Sequence, residues 1–557
     1  MNGFVRRTLI CALALSVVGA AGWFGRKAYQ HGKERRLIGE AGEFMARKDL
    51  RNASLCLQRA LQVNPLNPES SRLMGEVLDA VGSPTALNWR IRTAQLQPDQ
   101  VEHRLAWAQT AISMRKPQSA SDALNGIPEK ARNTAAFHKL AGALAWNLKR
   151  PSEAEQHYLA ASRLEPQDAF CALNLATVRL TSPDAARAAS ARLQLQQFTT
   201  NAALRLVALR HLTADALFRK SIPQALAFSA RIVCEPVATT GDRINHLQLL
   251  RESNDAGFAA CLNALEQEAT NSPIQAFALA RWLATSENPA AALNWLLRLP
   301  ASTQTNQPVP LIISDCQVML KDWKGLLTLV TKQDWADANY YRLALDSLAR
   351  RSLGQDSAAR SSWQKSLRLA TRHLDRLNRL SEITLLWGWP DERGEVLRGV
   401  LDAFPKEKWA ADALISQLYA QGKTQQLKDV LEKLYAQDSA NAQVGNNLAN
   451  VLLLQNSDLP RAHQLSRVAY EQQPGDPFFA STHAYSLMLQ GRQVEAMRIL
   501  AVIKTNHLEI PGIAAYYGTV QAHFGHKESA LAALRRTEAA PLLPEEKEMV
   551  RLAKARL

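Results

Sequence analysis

The chain has 557 residues, too many for one compact domain, although a stack of repeats can grow without a single core. Hydrophobic residues make up 47% and aromatic residues only 6%, a composition typical of helices rich in Ala and Leu. The net charge is +15, but no long Lys/Arg run favours nucleic acid, so a solvated basic exterior and an acidic partner remain as alternatives.

The N-terminus carries an uncharged segment, Thr8–Gly25, between Arg6-Arg7 and Arg26-Lys27. At 1.5 Å per residue this segment is about 27 Å long, slightly shorter than the roughly 30 Å hydrocarbon core of a bilayer. The pattern predicts that residues 1–27 are a signal anchor retained as one apolar helix. A signal peptide that is cleaved is the alternative, because basic, apolar and small residues follow one another here.

The orientation of this anchor depends on two rules that conflict. Positive residues on the C-terminal side outnumber those at the N-terminus, which favours the cytoplasm for the large domain. A short basic tail ahead of an apolar run instead sends the rest of the chain outward. We expect a single-pass protein of the inner membrane of a bacterium with a periplasmic repeat region. The cytoplasmic face and secretion after cleavage are the alternatives.

From about residue 28 onward, small residues and aromatic or Leu residues recur at fixed spacing in successive helical pairs. In the first pair these are Ala41, Phe44, Ala53, Leu57, Ala60 and Pro65. A matching set consists of Gly142, Ala154, Tyr158, Ala161 and Pro166. The pattern returns near the end as Ala484, Leu487, Gly491, Ala496 and Leu500, and then as Tyr517, Gly518, Gly525, Ala530 and Leu534.

This spacing resembles the tetratricopeptide repeat, in which a small residue lies early in helix A and Ala opens helix B. The resemblance implies an all-α, right-handed superhelical solenoid of antiparallel helix pairs, with space for about fifteen pairs at 34 residues each. We expect an N-terminal array over residues 28–180, degenerate helical repeats over 181–336, and a C-terminal array over 337–557. Residues 545–557 read as a capping helix that covers the last apolar face.

In the degenerate middle, the repeat frame slips but the pattern stays helical. Ala225 and Ala292 still mark helices of the B type. The segment Ala301–Pro310 is rich in Ser, Thr, Gln, Asn and Pro, and it predicts a loop.

No known catalytic or nucleotide-binding motif is present in the sequence. The twelve His are dispersed, and the one close pair, His523 and His526, spans the end of a helix and need not share a face. The six Cys form no C-x2-C pair, and Cys56 and Cys171 lie on apolar helix faces. We therefore expect no enzyme activity, no cofactor and no metal site.

Function would then lie in recognition. In tetratricopeptide proteins the A helices line a concave groove that holds a peptide or a partner helix, and the resemblance implies the same here. Asn can hydrogen-bond a ligand backbone through both its donor and its acceptor, and Arg or Lys can hold a carboxylate. The groove candidates are Arg72, Lys139, Asn174, Asn447 and Asn450.

These features predict a membrane-anchored scaffold for protein–protein interactions in envelope assembly, secretion or polysaccharide export. Its partner would be a protein or peptide, with an acidic one as an option. Two alternatives remain open: a cytoplasm-facing adaptor that recruits a soluble enzyme, and a non-catalytic subunit of a glycosyltransferase-type complex. The same scaffold serves many pathways, so the pattern does not select among them.

Overall fold

The computed structural model describes residues 29–557. The predicted apolar helix and signal anchor over residues 1–27 lie outside the described residues. Among the helices of residues 29–557, none is both long and apolar enough to cross a bilayer.

The first of two compact units is described from residue 29 to Ala269. It is built from short α-helices and one 3-10 helix, Glu129–Ala131. In chain order the α-helices are α1 (29–46), α2 (Leu50–Val63), α3 (Pro68–Ala80), α4 (Ala86–Leu96), α5 (Val101–Ser113), α6 (Pro117–Asn125), α7 (Ala135–Asn147), α8 (Pro151–Leu164), α9 (Ala169–Arg179), α10 (Ala185–Phe198), α11 (Arg205–Phe218), α12 (Ile222–Val233), α13 (Thr240–Glu252) and α14 (Phe258–Ala269).

The second unit runs from Thr270 to Leu557. Its 3-10 helices are Ala336–Ala338, Thr505–Glu509 and Arg535–Thr537. Its α-helices are α15 (Pro273–Ser286), α16 (Pro289–Leu296), α17 (Ala301–Thr305), α18 (Val309–Met319), α19 (Trp323–Lys332), α20 (Asn339–Ser352), α21 (Asp356–Ala370), α22 (Leu374–Leu386), α23 (Pro390–Ala403), α24 (Lys408–Ala420), α25 (Thr424–Gln437), α26 (Ala442–Leu454), α27 (Leu459–Gln472), α28 (Pro477–Leu489), α29 (Gln493–Leu500), α30 (Pro511–His523), α31 (Lys527–Leu534) and α32 (Pro544–Lys554).

Successive helices pack as pairs, and we call the first helix of each pair A and the second B. The first unit pairs α1 with α2 and continues to α13 with α14. The second unit pairs α15 with α16, α18 with α19, and then each helix with the next up to α31. The all-α fold of repeated helical pairs is therefore confirmed. Residues 29–557 hold fifteen such pairs, seven in the first unit and eight in the second.

The small residues of the pattern lie where the paired helices meet. Ala53, Ala154, Ala496 and Ala530 are fully buried. At Gly142, an added Cβ would lie 3.0 Å from the ring of Tyr158, which is itself buried. A larger residue at such a position would separate the helix axes, at a cost of about 1–3 kcal/mol. These residues are structural, as predicted.

The turn from helix A to helix B contains a residue with positive φ in most pairs. In the second unit this residue is usually Gly, whereas in the first unit it is usually Lys, Arg or Asn. The residues are Lys48, Gly82, Arg115, Lys149, Lys220, Asn254, Lys321, Gly354, Gly388, Gly422, Asn456, Gly491 and Gly525. Between Thr181 and Asp337 the turn residues are Lys220, Asn254 and Lys321, and the hairpin is the same as where Gly occupies this position.

The structure corrects one prediction in the middle of the chain. Residues 301–310 were predicted to form a loop, but α17 occupies Ala301–Thr305 and α18 begins at Val309. Thr303 is buried, and its hydroxyl donates to the carbonyl of Thr270 at 2.7 Å. This contact ties the polar segment to the start of the second unit. The division of the chain at residues 180 and 336 stays a prediction.

Candidate functional site

Two of the five groove candidates are paired with carboxylates of the same chain. Arg72 on α3 contacts Glu69 at 2.7 Å and Glu76 at 2.5 Å, both on its own helix. Lys139 on α7 contacts Glu165 at 2.6 Å and Asp168 at 2.5 Å. The hydrogen bonds that both bases donate to these carboxylates raise the pKa of Arg72 and of Lys139. Their charge is therefore compensated and only partly available to a ligand.

The three Asn candidates differ from one another. Asn174 on α9 is half-buried, and no hydrogen bond of its side chain is found within residues 29–557. Asn447 on α26 accepts a hydrogen bond from Gln443 at 3.0 Å, which leaves its amide donor for a ligand. The oxygen of Asn450 accepts from the Tyr516 hydroxyl, so this residue belongs to an internal contact.

An opening in the second unit lies between the A helices α24 and α26, and we call it the α24–α26 groove. It has a volume of about 880 Å³. Ile415, Leu434 and Val444 supply apolar surface, and Asn447 lies at one side. The N-terminal halves of α24 and α26 and the C-terminal end of α25 bring these residues together. Asn441 caps α26 by accepting from the amide of Val444 at 3.2 Å, which fixes where that helix enters the groove.

Charged residues of both signs line the rim of this groove. Lys406, Lys408 and Asp412 are exposed, and none has an ion-pair partner in the described part of the chain. Glu407 accepts a hydrogen bond from the indole of Trp409 at 3.0 Å. The groove can therefore meet a ligand with uncompensated charges, in contrast to the positions of Arg72 and Lys139.

A second opening, of about 680 Å³, lies in the first unit around α7 and α8. There the Nδ1 atoms of His138 and His157 are 3.0 Å apart. Burial lowers the pKa of both rings, so both are neutral at pH 7 and one ring donates to the other. In residues 29–557 no cluster of three His, Cys, Asp or Glu side chains is arranged to hold a metal ion.

The protein is built from repeated helical hairpins, and its A helices form a surface that contains an open groove. The chain matches no protein-family model and no curated protein. Solved structures that are similar to it include tetratricopeptide repeat proteins. One, from Parabacteroides merdae, shares 14% identity with a TM-score of 0.37, over 45% of this chain and 98% of that one.

Two further solved structures show the same kind of similarity. PilF of Pseudomonas aeruginosa shares 13% identity with a TM-score of 0.30, over 36% of this chain and 91% of that one. YrrB, described as a tetratricopeptide repeat protein with an unusual peptide-binding site, shares 12% identity with a TM-score of 0.26, over 36% of this chain and 97% of that one. At these identities the similarity concerns the fold alone.

Sequence reasoning named Asn447 but missed the other residues of the groove. The pair α24–α25 escaped because Leu427 stands where the pairs that were found, such as those with Ala53 and Ala154, have Ala at the start of helix B. Gly422, in the turn of this pair, has a φ of 64° and is the signal that could have found it. Once this pair is aligned with the other repeats, Lys408 and Asp412 lie in the first half of helix A and Ile415 lies just past its middle.

Proposed function

We propose that the protein is a binding scaffold and that the α24–α26 groove holds an extended segment of a protein partner. The observation that carries this proposal is the combination of an open groove with an apolar floor and unpaired polar side chains on its rim. Burial of apolar partner side chains on Ile415, Leu434 and Val444 would supply the affinity. The polar rim would fix the direction of the segment.

The polar and charged side chains of the rim indicate which groups a partner segment should carry. The free amide donor of Asn447 can bond a backbone carbonyl of an extended segment. Lys406 and Lys408 can hold a carboxylate, while Asp412 favours a basic side chain nearby. The best ligand is therefore a segment with small apolar residues and charges of both signs.

Copurification of partners with the full chain under mild detergent tests this proposal. Lys408→Glu combined with Asn447→Ala should reduce the recovery of a specific partner about tenfold, which corresponds to about 1.4 kcal/mol. Lys365→Glu is the matched control, because Lys365 is exposed on the B helix α21 and undergoes the same charge change. Equal recovery with both variants would show that the groove does not bind the partner.

We further propose that Thr8–Gly25 anchors the chain in the inner membrane, with the repeats on the periplasmic side and a role in envelope assembly. The uncharged segment between basic residues supports this proposal. Deletion of residues 2–27 should release the protein from carbonate-washed membranes. Protease added to intact spheroplasts should digest the repeats, and protection of the repeats would support the cytoplasm-facing adaptor instead.

A further inference from the structure

The last helix, α32, does not continue the stack of pairs but turns back onto the A helices. It packs against α30 and also against α26, six α-helices before it in the chain. Its residue Glu546 accepts a hydrogen bond from the hydroxyl of Tyr419, on α24, at 2.5 Å. For a helix that only capped the stack, contacts with α30 and α31, the last pair, would be enough. The sequence predicted such a capping helix, and the structure shows that α32 also contacts α24 and α26.

One narrow stripe of α32 faces this surface. Glu546, Met549, Val550 and Ala553 are each at most 8% exposed. Their spacing of three, four and seven residues is that of an amphipathic helix seated in a groove of another protein. The remaining faces of α32 are exposed and carry residues such as Lys547, Glu548 and Arg551.

A buried carboxylate is the centre of the contact. Glu546 accepts from the hydroxyls of Tyr419 at 2.5 Å and Tyr516 at 3.0 Å, and from the amide of Leu543 at 2.9 Å. The Tyr516 hydroxyl also lies within hydrogen-bond distance of the Asn450 oxygen, so its single proton is shared between two acceptors, and three A helices direct polar groups at this point. Within residues 29–557, no Lys, Arg or His side chain forms an ion pair with Glu546.

The N-terminus of α32 adds two contacts that set its register. Glu545 accepts from the hydroxyl of Thr424, at the start of α25, at 2.6 Å. Pro544 lies beside Gly422, where an added Cβ would be 3.2 Å from the Pro544 Cδ atom. A side chain at Gly422 would therefore require Pro544 at the start of α32 to shift by a few tenths of an ångström.

We propose that this A-helix face is a helix-binding surface that α32 fills in cis, and that its external partner is an amphipathic helix of the same chemistry. That helix would carry a carboxylate followed by apolar residues three, four and seven positions later. The surface is defined by Tyr419 and Asn450, in the C-terminal halves of α24 and α26, and by Tyr516 in the middle of α30, and none of the three lines the α24–α26 groove. It is therefore separate from the α24–α26 groove, and the inference does not rest on the proposed function.

The composition of the contact makes α32 a displaceable occupant. Within α32 itself only Met549, Val550 and Ala553 are buried apolar side chains, and Leu542 and Leu543 are buried just before it. The central group is a carboxylate whose removal from water opposes docking. Attachment to the same chain compensates, because a short tether gives an effective concentration in the millimolar range. A partner helix with larger apolar residues at the same three positions can compete with this arrangement.

A labelled synthetic peptide of residues 541–557 tests the proposal on the full chain. Met549→Ala with Val550→Ala weakens α32 in cis, so this variant should bind the peptide at least about tenfold more tightly than the wild-type chain does. A peptide carrying Glu546→Ala should bind at least about tenfold more weakly. Tyr419→Phe in the weakened chain should also reduce binding, whereas Lys408→Glu should not.

Three results would overturn the proposal. They are a folded variant chain that does not bind the peptide, equal binding of the Glu546→Ala peptide, and a dimer formed by exchange of α32 between two copies. Hydrogen exchange of the wild-type chain gives a test that needs no variant. Amides of α32 should exchange at least about tenfold faster than those of α30. Equal protection of the two helices would identify α32 as a permanent part of the core.

Discussion

The two units make the same turn between helix A and helix B with different residues. In the second unit, Gly354, Gly388, Gly422, Gly491 and Gly525 supply the positive φ. In the first unit, Lys, Arg and Asn adopt it at most such turns. A residue with a Cβ atom is strained in this region by roughly 1 kcal/mol, whereas Gly is not. The packing of the two helices therefore fixes the backbone conformation of the turn. The residue in the turn changes only the free energy of unfolding.

The units also differ in how they bury a carboxylate. In the first unit, Asp242 on α13 accepts two hydrogen bonds from Arg210 on α11, at 2.9 and 2.6 Å. In the second unit, Glu546 is held by two phenols and one amide. An ion pair favours the charged form of an acid, and burial without a cation favours the neutral form. The two units should respond to acid in opposite directions.

The largest effect is expected at the turn that touches α32. Gly422→Val should lower the free energy of unfolding of the second unit by about 3 kcal/mol, because a strained turn and a clash with Pro544 add together. Gly491→Val is the control, since an added Cβ there meets no atom within 4 Å. It should cost about 1–2 kcal/mol. Urea unfolding followed by hydrogen exchange of each unit measures both, and equal losses would contradict the Pro544 contact.

Acid should destabilise the α11–α13 contact of the first unit. Burial alone would raise the pKa of Asp242, but hydrogen bonds from Arg210 and Thr239 outweigh it and lower the pKa to about 2. The resulting stabilisation, about 2 kcal/mol, is complete above the ordinary pKa near 3.8 and is lost as the pH falls towards 2. Hydrogen exchange of α13 between pH 5 and 2 measures it. Asp242→Asn should remove this pH dependence; a slope that persists would assign it to another group.

The docking of α32 should respond to pH with the opposite sign. Burial raises the pKa of Glu546 above 4.5, and the hydrogen bonds from Tyr419, Leu543 and Tyr516 only partly oppose this, while the neighbouring Glu545 adds to it. Between 4.5 and the raised value, the folded chain holds a proton that the unfolded chain has lost. The free energy of unfolding therefore falls as the pH rises through this window.

Glu546→Gln should abolish that dependence and stabilise the docking of α32 at pH 7 by about 1 kcal/mol. The amide can donate to the oxygen of Tyr516 while the single proton of Tyr516 goes to Asn450. Exchange of α32 amides in wild-type and variant chains provides the measurement. Docking that is weaker in the variant at every pH would mean that the charged carboxylate is the preferred form.

The smallest effect is expected when the turn residues are interchanged. Lys149 is exposed with a φ of 58°, so Lys149→Gly should stabilise the first unit by about 0.5 kcal/mol after the extra freedom of Gly in the unfolded chain is subtracted. Gly491→Lys should cost a similar amount in the second unit. Urea midpoints of the two variants decide the point, and a loss of stability on Lys149→Gly would show that the Lys side chain itself holds the turn.

The local signals of the sequence were enough to find most of the fold. Ala at the helix crossings, together with Asp, Asn and Pro at helix starts, acts over a few residues, and each makes a helix boundary or a close crossing readable. The all-α fold and the burial of Ala53 and Ala154 followed from them. Between Thr181 and Asp337 the same hairpin formed although the repeat spacing was irregular, and the frame was lost there. The loss of Gly from the turn does not explain this, because the pairs with Lys48 and Lys149 in the turn were found.

What the sequence could not decide is which polar residues remain free for a ligand. Lys139 meets Asp168 across 29 residues of chain, and Tyr419 meets Glu546 across 127. Such contacts depend on how the hairpins stack, and small rotations of each pair add up along the array. The sequence by itself therefore determined the helices, their pairing and the candidate positions on helix A. Only the tertiary structure decided three further points. The charge of Lys139 is paired with carboxylates of the same chain, the α24–α26 groove is open, and α32 covers the face beside that groove.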